Sequence, residues 1–208
     1  LTRIIVSTLP DDQQYFYLCD TRLERSSVPR VTMEPLVTGS GDLGEVRAMA
    51  EAMLAKQSRT LTPQQWAIFE TSVLAEPTAL YVNLAVNSVL CKWPSYITAP
   101  AELQLTPTVR GLIGQIFDTL ERDFGKTLVD AALIILTLSV EGVSDVEMQD
   151  LLSIDDKVLN FVFQYSRPDI ERLPYHVWLR IRASLGSLLV EKQGGCLAWY
   201  HRQLREVG

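Results

Sequence analysis

Cysteine is scarce in this chain. Cys19, Cys91 and Cys196 are an odd number, lie far apart, and form no CxxC or CxxH spacing. That pattern excludes a disulfide framework and a zinc finger, and it fits a reducing compartment. Histidine is scarcer still, with His176 and His201 alone, and neither stands in a Ser-His-Asp set or beside a paired carboxylate. A phosphate loop of the form GxxxxGK-Ser/Thr is absent. Long apolar runs are missing too: Leu128 to Val140 is interrupted by Asp130 and falls short of the roughly 20 residues that a membrane-spanning helix needs. Positive charge is in deficit, with 19 Lys and Arg against 25 Asp and Glu and a net charge of −6. An acidic chain of this kind has no electrostatic footprint for nucleic acid or an anionic membrane. The expectation is a cytoplasmic protein that binds neither.

What is present is globular. Of 208 residues 47% are hydrophobic and 21% charged, enough to bury a substantial core in one large or two small domains. Ile4-Ile5-Val6 is β-branched and unbroken, as in a strand buried on both faces, and Ser7-Thr8-Leu9-Pro10 ends it. A helix capped at Asp11 or Asp12 runs to about Arg25, and Val28 to Met33 reads as an edge strand. Strand, helix, strand is the tail of an α/β sheet. The chain opens inside an apolar run without an initiator methionine, so it is expected to be a piece of a longer cytosolic protein.

From Gly39 the pattern becomes helical. Gly39-Ser40-Gly41-Asp42-Leu43-Gly44 matches a dinucleotide-binding fingerprint, yet helix rather than strand follows it, so it reads as a loop with Asp42 as N-cap and Glu45 as its partner. Val46, Met49, Ala50, Met53 and Leu54 mark a first helix. Thr62-Pro63-Gln64-Gln65 is a capping box that opens a second, and a third begins at Pro77. Pro94, Pro100 and Pro107 mark a linker. Beyond it, Thr106-Pro107 opens a helix that Gly125 ends, and a buried helix spans Leu128 to Val140. Ser144 to Glu147 is a second capping box, Asp155 or Asp156 caps the next helix, and another runs from Pro174 to Leu185. Ser187 to Lys192, Gln193-Gly194-Gly195 and Cys196 to Tyr200 form a hairpin. Helices followed by a short hairpin are the order of a winged helix. The recognition helix is expected near Asp155 to Tyr165, where Asp145, Glu147, Asp150, Asp155 and Asp156 outnumber Lys157 and would repel phosphate.

In this order the segments resemble the second half of a NACHT module of the STAND signalling class, as found in animal NACHT and WD-repeat proteins and the telomerase-associated protein. The fold class implied is mainly α (α+β). Residues 1–36 would be the last strands of the nucleotide-binding core, 37–104 a helical domain and 105–208 a winged-helix domain. Ile4 to Pro10 is similar to the family's sensor strand, with Thr8 at its end and Leu9 where the family carries an arginine for the γ-phosphate. Ala75-Glu76-Pro77-Thr78-Ala79-Leu80-Tyr81 is similar to the segment whose proline lies against adenine, which Pro77 matches. Trp199-Tyr200-His201-Arg202-Gln203-Leu204 is similar to the segment whose histidine meets the β-phosphate of ADP, which His201 matches.

The resemblance implies a switch, closed over ADP and opened by exchange for ATP to allow assembly. ADP or ATP is then the ligand of the full-length protein. The phosphate loop and magnesium-binding acids would lie upstream of Leu1, so this stretch alone is expected neither to bind nucleotide tightly nor to be an enzyme, which leaves any slow ATPase activity to the parent. Implied partners are the rest of its own nucleotide-binding domain, other proteins, and further copies of itself on activation. A non-catalytic protein-binding adaptor and, less favoured by charge, a nucleic-acid-binding winged helix stay open beside it.

Overall fold

The computed structural model describes residues 42–96, 103–165 and 172–208, with positions 21, 36 and 168. Thr8, Leu9, the two strands expected up to Met33 and, Thr21 apart, the helix between them lie outside the described residues, as do Cys19 and Gly39 to Gly41. The chain divides into two compact units, Leu1–Glu34 and Pro35–Gly208, and all the helices and strands below belong to the second.

Among the described residues this unit is mainly α, with one small antiparallel sheet of two strands. Helix α1 (Gly44–Lys56) buries Val46, Ala50 and Leu54 at the expected helical spacing. Its N-cap is Leu43, without a side-chain bond; Asp42 sits one residue too early and accepts instead from the Gly44 N–H at 2.9 Å. A short acidic side chain that bonds the backbone two residues on makes a turn rather than a cap. Helix α2 (Pro63–Val73) starts as its sequence requires, with both bonds of the Thr62–Gln65 capping box formed and Pro63 in the first turn. Helix α3 (Ala79–Leu84) begins after Pro77, because the Thr78 hydroxyl caps the Tyr81 N–H at 3.1 Å. It continues through a wide π turn at Ala85–Val89 and a 3-10 turn at Leu90–Lys92.

Helix α4 (Val109–Phe124) turns Val109, Leu112, Ile113, Ile116, Phe117 and Leu120 inward. Its cap is Thr108 rather than Thr106, whose N–H and hydroxyl both donate to Gln115 Oε1, at 3.1 and 2.9 Å. Gly125, at φ +89°, is the joint to α5 (Lys126–Leu138). Helix α6 (Asp145–Ile154) carries the complete Ser144–Glu147 capping box, and Asp155 caps α7 (Asp156–Val162). Helix α8 (Tyr175–Leu185) leads through a 3-10 turn into β1 (Leu189–Glu191), which pairs with β2 (Leu197–Trp199). Gly194 and Gly195, both at positive φ, make the turn between them. The first strand is shorter than expected because Gly186–Leu188 is helical. Helix α9 (Arg202–Val207) closes the described chain.

One apolar core runs from Val46 on α1 to Leu204 on α9. Helix α4 is central to it, packing against α3, α5, α8 and α9. Trp178, Tyr81 and Phe69 are its largest fully buried side chains. The last turn of α5 is held by Arg205, whose Nε donates to the Thr137 carbonyl at 2.8 Å, so a cation meets the negative end of that helix.

Candidate functional site

Pro77 sits half-buried in the turn between α2 and α3. The turn is tight: the Thr78 N–H donates to the Glu76 carbonyl at 2.8 Å. The Glu76 carboxylate takes the Val109 N–H at 2.7 Å, one of the unpaired donors at the start of α4, where the helix dipole favours an acid. Nearby, the Tyr81 hydroxyl donates to the Thr106 carbonyl at 2.7 Å, and its burial pushes its pKa well up. The Pro77 turn is therefore clamped to the first turn of α4.

His201 follows β2 and is the N-cap of α9. Its Nδ1 accepts from the Gln203 N–H at 3.3 Å. In the neutral ring that assigns the proton to Nε2, which makes Nε2–H a donor. No carboxylate pairs with His201 among the described residues. Tyr200 lies beside it, with ring centroids 5.9 Å apart. The Tyr200 hydroxyl is buried and without a hydrogen-bond partner among the described residues, and burial pushes its pKa up. The Nε2–H of His201, unlike the buried Tyr200 hydroxyl, is open to an anionic acceptor. His176, by contrast, is exposed on the first turn of α8.

No hydrogen bond, ion pair or ring contact between described residues joins Pro77 to His201. What they share is α4: Glu76 holds its first turn, and α9, capped by His201, packs along it, with Gly208 against Phe117. Among the described residues no group of three or more His, Cys, Asp or Glu could hold a metal ion, and no helix is long and apolar enough to cross a membrane.

Sequence reasoning missed Asp145. Its carboxylate accepts from Trp178 Nε1 at 2.7 Å and from Arg182, which also reaches Glu191 at 3.3 Å. This bond set ties the first turn of α6 to α8 and to β1. The segment at Asp155 to Tyr165 holds the short α7, which packs on α5 and α6; α8, which also packs on α6, leads into the hairpin and carries Arg180 and Arg182 and no acid. Arg182 is taken up by Asp145 and Glu191, and Arg180 lies over the Phe124 ring at 5.4 Å. An acid in the first turn of a capped helix was the visible signal, but its partners are more than thirty residues away.

Helices α5, α6 and α8 lead into a hairpin whose second strand also bridges Val143, between α5 and α6, through bonds of 3.0 and 2.8 Å. That arrangement is a winged helix. The family described as "NWD1-like, winged helix-turn-helix domain" matches residues 101–204, and the chain belongs to it. NACHT domain- and WD repeat-containing protein 1 of Mus musculus is 33% identical over 174 residues, covering 81% of this chain and 11% of the relative. NACHT and WD repeat domain-containing protein 2 of Mus musculus is 33% identical over 132 residues, covering 62% of this chain and 8% of the relative. The Homo sapiens protein 1 is 32% identical over 174 residues, 81% of this chain and 11% of its own. The chain thus spans about a tenth of the length of these curated relatives, by the 11% and 8% shares. No solved structure matches it significantly.

Proposed function

We propose that this segment is the lid of a nucleotide-dependent signalling switch, closed over ADP and released when ATP replaces it. The observation that carries the reading is the state of His201 and Tyr200. The imidazole spends Nδ1 on its own helix cap and keeps Nε2–H as a donor, beside a buried hydroxyl that lacks an acceptor. The open Nε2–H fits a phosphate. ADP, when bound, supplies the anionic acceptor and the adenine face. His201 holds the phosphate end and Pro77 offers its ring to the base, and the family resemblance adds Thr8 to the nucleotide's contacts. Family membership and the NACHT names of the relatives support the same reading.

The lid itself performs no hydrolysis in this proposal; its work is differential binding. A ligand shifts a two-state element only by the difference in its contacts to the two states. Contacts from His201 that exist with the winged helix docked, and not with it released, give ADP that difference. A cytoplasmic setting, further copies of the chain as assembly partners, and exclusion of nucleic acid complete the reading. The last of these rests on the engagement of Arg182 and Arg180 described above.

The test is ADP retention by the full-length parent after purification, wild type against His201→Ala. The expected loss is that of a charge-assisted hydrogen bond, about 1.5–3 kcal/mol, or roughly ten- to a hundredfold faster release. Equal retention would overturn the assignment.

A further inference from the structure

Helix α6 has two dissimilar faces. Met148 and Leu152 are buried in the core. The opposite face carries Val146, Glu147, Asp150, Leu151 and Ile154, which at about 100° per residue fall within an arc of roughly 140°. On it Val146 is 59% exposed, Leu151 45% and Ile154 76%. Single exposed aliphatic residues are ordinary on protein surfaces, but three on one helix face form a patch that water disfavours.

The residues between them are acidic. Glu147 is exposed, and the Ser144 backbone N–H and hydroxyl that bond it hold its carboxyl below the usual range. Asp150 pairs with Arg172 at 2.5 Å, with both side chains about half exposed, an ion pair worth little and readily exchanged. Asp155 and Asp156 follow at the exposed junction with α7, and Lys157 is the exposed base beside them. Asp145 is turned away, toward Trp178 and Arg182.

We infer that this face of α6 docks a basic amphipathic helix of a partner protein. Apolar residues of the partner at i, i+3 or i+4, and i+7 cover Val146, Leu151 and Ile154, and its lysines or arginines reach Glu147, Asp155 and Asp156. Charge decides among the possible occupants. Lipid headgroups of anionic membranes and nucleic-acid phosphates are repelled by the acids. A second copy of this face would set acid against acid, which costs affinity. The inference is independent of nucleotide, since none of these residues belongs to the Pro77 or His201 neighbourhoods.

The probe is a fluorescent peptide of leucine and lysine, patterned as an amphipathic helix of about four turns. Its leucine–glutamate counterpart is the control. Binding to the 208-residue chain is read by anisotropy, and its location by amide chemical shifts. The lysine peptide is expected to bind with shifts confined to α6 and α7 and with an affinity that falls as salt rises, and the glutamate peptide not to bind. The paired surface change Val146→Ser with Ile154→Ser should leave the melting temperature near wild type and weaken binding about tenfold or more. Glu147→Gln should weaken it less, through charge alone. Absence of binding, shifts elsewhere, or equal binding by the serine pair would overturn the inference. So would a concentration-dependent dimer of the free chain that the serine pair abolishes, because the face would then belong to a second copy.

Discussion

Gly125 joins α4 and α5 at φ +89° and ψ 134°, a region that side-chain-bearing residues rarely enter. A Cβ built there would lie 2.1 Å from Phe161 Cζ and 2.7 Å from Cε1, inside any van der Waals contact. Gly125→Ala therefore meets two penalties. The backbone strain is about 1–3 kcal/mol. Displacing the Phe161 ring from its packed place adds roughly 1–3 kcal/mol, as for other overpacked sites. The sum, about 2–6 kcal/mol, should lower the melting temperature by roughly 5–20 °C in a chain of this size. Gly114 is the internal control: it lies inside α4, and a Cβ there would meet nothing within 4 Å. Gly114→Ala should stabilise by about 0.5–1 kcal/mol through helix propensity. The assay is thermal and urea unfolding followed by circular dichroism, with Phe161→Ala added to complete a double-mutant cycle. The coupling between positions 125 and 161 should equal the steric share, about 1–3 kcal/mol. Two alanine variants that shift stability in the same direction, or no coupling to Phe161, would refute the reasoning.

Two further outcomes follow from the same structure. Asp145→Ala strands the indole N–H of fully buried Trp178 and leaves Arg182 with the exposed Glu191 alone. Urea unfolding should show a loss of about 2–4 kcal/mol, with a shifted tryptophan emission, and Asp145→Asn should recover part of it by accepting from Trp178. The Glu147 carboxyl is held below its ordinary value by the Ser144 backbone N–H and then its hydroxyl. A depressed folded pKa gives stability that is present above the unfolded value, about 4.3, and is lost as pH falls through the lower folded value. Melting curves of wild type and Glu147→Gln should accordingly lie apart at neutral pH and converge in acid; parallel curves throughout would contradict the capping argument.

Much of the fold was legible because its signals are local. A capping box satisfies its own donors within four residues, so Thr62–Gln65 and Ser144–Glu147 form as read. Gly125 and the Gly194-Gly195 turn mark places where only glycine is comfortable, whatever surrounds them. The candidate site was less legible. His201 stood out through the family resemblance alone; nothing in its neighbours says that Nδ1 is engaged and Nε2–H is not, or that the Tyr200 hydroxyl is buried without a partner.

Among the described residues the sequence by itself determined the order of the helices from Val46 to Leu185, the hairpin that follows them and the family to which that order belongs; the closing helix α9 it did not announce. Those follow from residue spacing and from cap and turn chemistry, which act within a few residues. Tertiary structure alone decided where competing partners meet. Gln115 claims Thr106 and leaves the capping of α4 to Thr108; Glu76 reaches across to the first turn of α4. Asp145 binds Trp178 and Arg182 and thereby ties α8 to the first turn of α6. Each of these choices turns on a hydrogen bond between residues nine to thirty-seven positions apart. Bonds of that kind form only once the core has brought their donors and acceptors together, so no local pattern announces them.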